Sequence, residues 1–449
     1  MTLIKSISGI RGIVDSSLDY NLIAKYIQAF SNICPKGPIL LARDTRNSGQ
    51  KYISLATNIL KQSKRVSINC DIIPTPTAQF TVKENNYSGG IVFTASHNPS
   101  NWNGMKFINS EGIFIDQKMF NQLEDEYNKQ KEIKLTFSDE PIKQYSIDSI
   151  DNHIRNVINL SIVDKNLIRE KKFCVVIDCA NGATSIALPK LLEKLNCKVI
   201  KINSKYNEDF GRSPEPTPEN ITELSSTVIK NKADIGFATD PDGDRLSIVD
   251  NLGNPLGEEL TLGFCTYYFL KYFPELRKNP IISNLSTSMI SEKISQMFDT
   301  PYLRSPVGEI NVVKKMKEEN SMIGGEGNGG IILKESHLGR DALVGAGIIL
   351  SLLSRQSFTI NNIFNSFPKF YILKTSIPLK NQSNNLIGKI KKMFSEEIIN
   401  ETDGLKITLK NEWIHIRKSN TEPILRIISE SKSIERSKEL IDKIKNEIN

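Results

Sequence analysis

Three carboxylates at alternate positions, Asp240-Pro241-Asp242-Gly243-Asp244, followed by Arg245, are the densest chemical signal in the sequence. Pro and Gly between them force a tight turn, so the side chains converge, and their mutual repulsion then calls for a cation. A donor set made only of oxygen favours a hard ion such as Mg²⁺. A calcium EF-hand loop also begins Asp-x-Asp-x-Asp, but it needs Gly at its sixth position and Glu at its twelfth. Those positions are Arg245 and Asn251 here, which excludes it.

Thr94-Ala95-Ser96-His97-Asn98-Pro99 sets a hydroxyl among small residues on a loop ended by proline, a candidate nucleophile or phosphate-bearing group. It is not the hydrolase elbow, because Gly-x-Ser-x-Gly is absent. Downstream, Asn103-Gly104-Met105-Lys106 supplies a turn and a cation. Gly324 to Gly330 holds a formal Gly-x-Gly-x-x-Gly, but Ile331-Ile332-Leu333 continues as a strand instead of opening a helix. A dinucleotide site is therefore excluded; dense glycine still lets backbone approach a ligand closely, with Glu326 and Asn328 as polar contacts to hydroxyls, and a plain glycine-rich hairpin is the alternative. Arg417-Lys418-Ser419-Asn420-Thr421-Glu422-Pro423, with Arg426 beyond, gathers guanidinium, hydroxyl and amide donors suited to a phosphate dianion.

The elements that must carry these loops alternate between β-rich runs and helical patterns. Strands are expected at Pro38–Ala42, Val66–Ile73 and Gly90–Phe93, with a helix over Gln50–Lys64. After a polar, Lys-rich stretch from Asn128 to Ser149 the pattern restarts. It gives strands at Phe173–Asp178, Lys198–Ile202 and Asp234–Ala238 and a helix over Ala187–Leu195. A third block runs from about Gly257 to Phe367, and a last one alternates Ile and Leu with polar residues from Leu405 to Ile416 before a Lys/Glu-rich amphipathic helix. Strand–loop–helix recurrence means α/β layers, whose ligands sit beyond the carboxyl ends of strands. The unusual loops all fall there.

A chain of 449 residues with 39% hydrophobic residues has ample material for several cores. Its net charge of +7 is spread without a run of five or six like charges, which speaks against a dedicated nucleic-acid surface and leaves small anionic substrates open. The most apolar run, Ala342–Leu353, is short of the roughly 20 residues a bilayer needs and is expected as a buried helix. No secretory signal pattern stands at Met1–Val14, and the six scattered cysteines lack Cys-x-x-Cys spacing. Buried thiols in the cytoplasm, with no membrane partner, are the expectation.

Ser8-Gly9-Ile10-Arg11-Gly12, Thr94 to Pro99, Asp240 to Arg245, Gly325-Glu326 and Arg417 to Pro423, taken in that order, resemble the α-D-phosphohexomutase superfamily. The resemblance implies three similar mixed α/β domains plus a smaller α+β C-terminal domain around a central cleft. Their expected spans are residues 1–145, 150–252, 256–367 and 369–449. It implies a phosphorylated Ser96 and one Mg²⁺ held by Asp240, Asp242, Asp244 and a phosphoserine oxygen. Gly325, Glu326 and Asn328 would contact sugar hydroxyls, and Arg417, Ser419, Asn420, Thr421 and Arg426 would grip the non-reacting phosphate. Arg11, His97, Lys106 and Arg245 would line the catalytic site, with Lys106 as proton acceptor.

The implied reaction moves phosphate from Ser96 to a hexose 6-phosphate, giving a 1,6-bisphosphate that turns over in the cleft and returns its other phosphate. A hexose 1,6-bisphosphate is the implied activator. The family's sugar loop commonly reads Gly-Glu-x-Ser-Gly-His, whereas Asn328 and Gly330 stand here in place of Ser and His. With Val307–Asn311 and His337–Asp341, the stretch is most similar to bacterial phosphoglucosamine mutases, which implies conversion of glucosamine 6-phosphate to glucosamine 1-phosphate. Phosphomannomutase/phosphoglucomutase activity is the alternative. A non-catalytic sugar-phosphate binding protein is the alternative of another class, and the presence of Ser96 and all three aspartates speaks against it. The implied partners are small sugar phosphates, acting on a monomer or homodimer.

Overall fold

Short β-branched runs assemble into four sheets among the described residues, and three of the sheets are built alike. The computed structural model describes residues 3–137, 144–378, 386–418 and 424–448. The first sheet holds β1 (Ile4–Ser6), β2 (Gly9–Ile13), β3 (Ile39–Arg43), β4 (Ser67–Ile72), β5 (Gly89–Phe93) and β6 (Trp102–Asn109) in the order β1-β2-β6-β5-β3-β4. The second holds β7 (Cys174–Asp178), β8 (Lys198–Ile202), β9 (Ile235–Thr239) and β10 (Leu246–Val249) in the order β10-β9-β7-β8. The third holds β11 (Ile281–Asn284), β12 (Tyr302–Ser305), β13 (Ile323–Glu326) and β14 (Gly330–Leu333) in the order β12-β11-β13-β14.

Numbered within each unit from β3, β7 and β11, all three sheets have the order 4-3-1-2, and the first adds the β1–β2 hairpin at its edge. Strands 2, 1 and 3 are parallel and strand 4 returns antiparallel beside strand 3. The fourth sheet is antiparallel throughout: β15 (Tyr371–Pro378), β16 (Ile398–Asn400), β17 (Leu405–Leu409), β18 (Glu412–Lys418) and β19 (Ile424–Ser431), in the order β15-β19-β18-β17-β16.

One apolar core runs without a break through the first three units, joining Val92 and Ala78 to Ile177 and Leu191 and on to Leu262 and Ile331. Its centre is the helix Ala342–Ser354, all 13 residues of which are buried, as the apolar run predicts. Each Ile or Leu fully removed from water contributes roughly 1.5–3 kcal/mol, so the shared core fixes the mutual placement of the three units. The fourth unit has its own core, including Ile390, Ile407, Ile414, Ile427 and Ile444. It docks on the segment after β11 through Glu430, which accepts from Met289 N at 2.7 Å, and through His415, whose Nδ1 lies 2.9 Å from Ser286 Oγ.

Two local expectations need correction. Asn103–Lys106 is not a turn but part of β6. A Cβ on Gly104 would lie 2.4 Å from Ile10 O and 2.9 Å from Thr94 O, so this glycine serves close strand packing. Its neighbours Ile10 to Gly12 lie in β2. The helix expected from Ala187 begins at Thr184, directly after the turn at Gly182. All six cysteines are free; five are buried and Cys174 is partly exposed at the start of β7. Among the described residues no helix is long and apolar enough to cross a membrane.

Candidate active site

The threefold recurrence explains where the chemistry lies. In each of the first three units the loop after strand 3 carries the residues singled out by sequence: Ser96 after β5, Asp240 to Asp244 after β9, and Gly327 to Gly329 after β13. Strand 1 runs parallel beside strand 3, so the loop at its carboxyl end lies next to the chemical loop and braces it. In the first unit Asp44 and Arg46 do this. Thr94 Oγ1 donates to Asp44 Oδ2 at 2.6 Å, and Arg46, paired with Asp44, donates to Ser96 O at 3.0 Å and Asn98 O at 2.5 Å. In the second unit Ala183 N donates to Pro241 O at 2.7 Å, and a Cβ on Gly182 would lie 2.4 Å from that same oxygen. In the third unit Asn284 Nδ2 donates to Glu326 Oε1 at 2.7 Å and Gly327 N to Thr287 Oγ1 at 3.1 Å.

Ser96 adopts φ +50°, a left-handed conformation uncommon for a residue with a side chain, and is held there by the Arg46 contacts and by its own N–H donating to Thr94 Oγ1 at 2.9 Å. Its hydroxyl donates to Asp240 Oδ2 at 2.8 Å. One carboxylate oxygen from each of Asp240, Asp242 and Asp244 lies within 4.8 Å of the others, all three residues buried. Lys106 on β6 donates to Asp242 Oδ2 at 2.6 Å and Asp244 Oδ2 at 3.0 Å, and Thr75 Oγ1 donates to Asp242 Oδ2 at 2.6 Å.

These contacts set the charges. Burial, reinforced by Asp242 and Asp244, pushes the Asp240 carboxyl well above the usual range. Burial also acts against ionised Asp242, but Lys106 outweighs it and holds that carboxyl low. Asp242 and Asp244 in turn outweigh burial at Lys106 and raise it. In this geometry Lys106 is therefore a charged donor, and proton acceptance at Nζ requires the neutral amine that those carboxylates oppose. Arg245 Nη2 donates to His97 Nδ1 at 2.9 Å, which makes the imidazole the Nε2–H tautomer. Burial, then Arg245 and Arg11, pushes His97 well below its ordinary value, so it is neutral. Arg245 is itself steadied by Glu215 at 2.8 Å.

A cavity of about 510 Å³ opens beside the Ser96 loop, at His97 and Asn98, and is lined from all four units, by Arg11, His97 and Lys106, by Arg245, by Glu326 and Asn328, and by Arg417 and Arg426. Gly325 is buried on β13 beneath it, with Gly330 O 2.3 Å from where a Cβ would stand. Arg417 and Arg426 are cross-strand partners on β18 and β19. Ser419, Asn420 and Thr421 lie outside the described residues. Asp44, Arg46 and Glu215 are absent from the sequence-based site, and Glu309 and Arg340 enter the sequence reading only within the stretches 307–311 and 337–341, with no role assigned. The signal that finds Asp44 and Arg46 is positional: they follow strand 1 of the repeat.

The trio of aspartates fits a hard cation. Oδ1 of Asp242 and Oδ1 of Asp244 are buried and accept no hydrogen bond within the described residues, so two carboxylate oxygens remain available beside Ser96. Neutralisation on this scale around a single serine suits phosphoryl transfer, which depends on positioning and charge far more than on covalent assistance. The fold and site thus define a phosphotransferase acting on a small anionic substrate.

The chain belongs to the phosphoglucomutase/phosphomannomutase family and is a phosphohexomutase, an isomerase. Its alpha/beta/alpha domain I matches residues 3–134, domain II residues 151–253, domain III residues 258–371 and the C-terminal domain residues 380–447. It is similar to a phosphoglucosamine/phosphogalactosamine mutase of Sulfurisphaera tokodaii, 30% identical over 443 residues and covering 97% of each chain. It is equally similar to a phosphoglucomutase/phosphomannomutase of Thermococcus kodakarensis, 30% identical over 449 residues and covering 97% of this chain and 96% of that one. Its fold is that of the crystal structure of a phosphoglucomutase/phosphomannomutase family protein from Burkholderia thailandensis, with TM-score 0.83 and 21% identity over 99% of this chain and 98% of that one.

Proposed function

We propose that the chain interconverts glucosamine 6-phosphate and glucosamine 1-phosphate through phospho-Ser96 and a 1,6-bisphosphate. The observation that carries the reading is the 2.8 Å contact between Ser96 Oγ and Asp240, whose loops meet at a cleft lined by His97 and Arg245 along with cations from every unit. Asp240, Asp242 and Asp244 would hold Mg²⁺ with an oxygen of the phosphoserine. The ion would neutralise charge on the phosphoryl group as it transfers. Arg11, His97 and Arg245 orient the group, and Lys106 supplies fixed positive charge.

In the forward half-reaction the bond from Ser96 Oγ to phosphorus breaks as one from the sugar C1 oxygen forms, the proton of the C1 hydroxyl ending on the freed Ser96 Oγ. The bisphosphate turns over, and its C6 phosphate passes back to Ser96 Oγ, whose proton ends on the freed C6 oxygen. Glu326 and Asn328, with the close backbone of Gly325, contact the ring hydroxyls in both orientations. Arg417 and Arg426, with Ser419, Asn420 and Thr421 between them in sequence, hold whichever phosphate is not reacting. Separate contacts for hydroxyls and for phosphate serve a substrate that must be accepted either way round.

The choice of glucosamine rests on the glucosamine-acting relative; phosphomannomutase/phosphoglucomutase is the second reading, favoured by the relative of that name at the same identity. Comparing kcat/KM on glucosamine, glucose and mannose phosphates, with hexose 1,6-bisphosphate as activator, separates them. We expect glucosamine phosphate to lead by about tenfold or more, a difference of roughly 1.4 kcal/mol in transition-state binding. A lead for mannose phosphate would replace the first reading with the second.

A further inference from the structure

Arg340 makes hydrogen bonds to three carboxylates in the cleft, and the proposed reaction does not use it. Its guanidinium donates from Nη2 to Asp244 Oδ2 at 2.6 Å, from Nη1 to Glu326 Oε2 at 2.9 Å and from Nε to Glu309 Oε2 at 2.9 Å. One planar group thereby ties the aspartate turn of the second unit to the glycine-rich loop of the third. Glu309 carries the link into the first unit, accepting from Gln79 Nε2 at 3.0 Å.

The position of Arg340 is itself held from behind. The next residue, Asp341, caps the helix 342–354, its Oδ1 accepting from Leu343 N at 2.8 Å. Its Oδ2 lies 2.9 Å from Nε2 of His153 and 3.1 Å from Nε2 of His337, all three side chains buried. This second His/Asp cluster therefore serves as an anchor: the Arg340 backbone has no freedom to slide along the cleft.

Gly330 shows how the guanidinium reaches its place. A Cβ at that position would lie 2.1 Å from Arg340 Cδ and 2.7 Å from Cγ, distances no pair of carbon atoms tolerates. Gly330 is absent from the positive-φ residues, so space and not backbone conformation excludes a side chain. The other oxygen of Glu326 accepts from Asn284 Nδ2 at 2.7 Å and from Gly308 N at 3.0 Å. Its carboxylate plane is thus set between those donors on one side and Arg340 on the other.

We propose that Arg340 is a positioning residue: its guanidinium holds the Glu326 carboxylate and the Asp244 carboxylate in one fixed relation, and Gly330 is glycine to leave it room. The proposal rests on the roles given to Glu326 and Asp244 under Proposed function. Lysine cannot substitute, because a single ammonium lacks the fork that meets three carboxylates in one plane.

A double-mutant cycle tests the pair. Arg340→Ala is expected to lower kcat/KM about 100-fold, and Gly330→Ala, by displacing Arg340, about tenfold or more. In the Arg340→Ala background, Gly330→Ala should add no more than about a twofold loss, a non-additivity diagnostic of contact. Arg340→Lys should keep kcat at least about tenfold down with KM within about threefold, a split that a purely structural role would not produce. Equal losses from Gly330→Ala in both backgrounds would overturn the steric pairing, and wild-type kcat in Arg340→Lys would overturn the positioning role. The same cycle followed by Tm needs no turnover. A chain inactive on every hexose phosphate would overturn the positioning role together with the reading of the site, and is recognised by Tm coupling between positions 330 and 340 that persists without activity.

Discussion

Ser96→Ala is expected to lower kcat/KM on every hexose phosphate by at least about 10⁴-fold, because in the proposed relay all transferred phosphate passes through Ser96 Oγ. Its effect on stability is small by the same geometry. The Ser96 side chain makes one short hydrogen bond, to Asp240, and alanine is no more strained than serine at φ +50°. A loss of about 1 kcal/mol corresponds to a Tm change of only about 1 °C in a chain of 449 residues. Steady-state kinetics beside a thermal melt separates the two effects. Turnover within tenfold of wild type in the folded variant would remove Ser96 from the reaction path.

The second large effect belongs to Asp240→Asn, and here activity and stability should move in opposite directions. The asparagine keeps the shape and removes one charge from three buried carboxylates that repel one another. In chelator, the variant should melt at or above the wild-type temperature. With millimolar Mg²⁺ the wild-type Tm should rise, as binding to the folded state alone requires, and the variant's should not. Loss of the cation's stabilisation of the transferring phosphoryl group, taken as about 4 kcal/mol, lowers kcat about 10³-fold. An equal Mg²⁺-induced Tm shift in wild type and variant would show that Asp240 takes no part in holding the ion.

What the sequence made legible was what is local. The Asp240–Asp244 turn, the Ser96 loop, the glycine-rich hairpin and the buried helix at 342–354 each carry their information in a few adjacent residues, through spacing, turn chemistry and uninterrupted apolarity. The recurring blocks were visible as strands and helices, but their common 4-3-1-2 order needed the sheet pairings. Hidden residues are the ones whose partners are distant along the chain: Arg46 reaches Ser96 across 50 positions and Arg340 reaches Asp244 across 96. Nothing in the composition around either arginine distinguishes a buried brace from a solvated charge.

Asn103-Gly104 failed in the opposite way. It matches the strongest short-range turn signal, yet Gly104 is pressed between the backbones of Ile10 and Thr94, and strand packing overrides the local preference. That strand is what delivers Lys106 to the aspartates, so the misread element and the correctly singled-out lysine are one feature. The repeat also accounts for the division of labour among the loops. Three equivalent hairpins each end at the same cleft, and their different sequences place a serine in one, an acidic turn in the next and a glycine-rich loop beside Glu326 in the third.

The most direct test of the phosphoryl relay is a single-turnover chase with enzyme carrying ³²P on Ser96, mixed with unlabelled glucosamine 6-phosphate and Mg²⁺. The label is expected to leave the protein and appear in the bisphosphate and then in glucosamine 1-phosphate, at a rate no slower than kcat. Formation of glucosamine 1-phosphate while the label stays on Ser96 would contradict the relay.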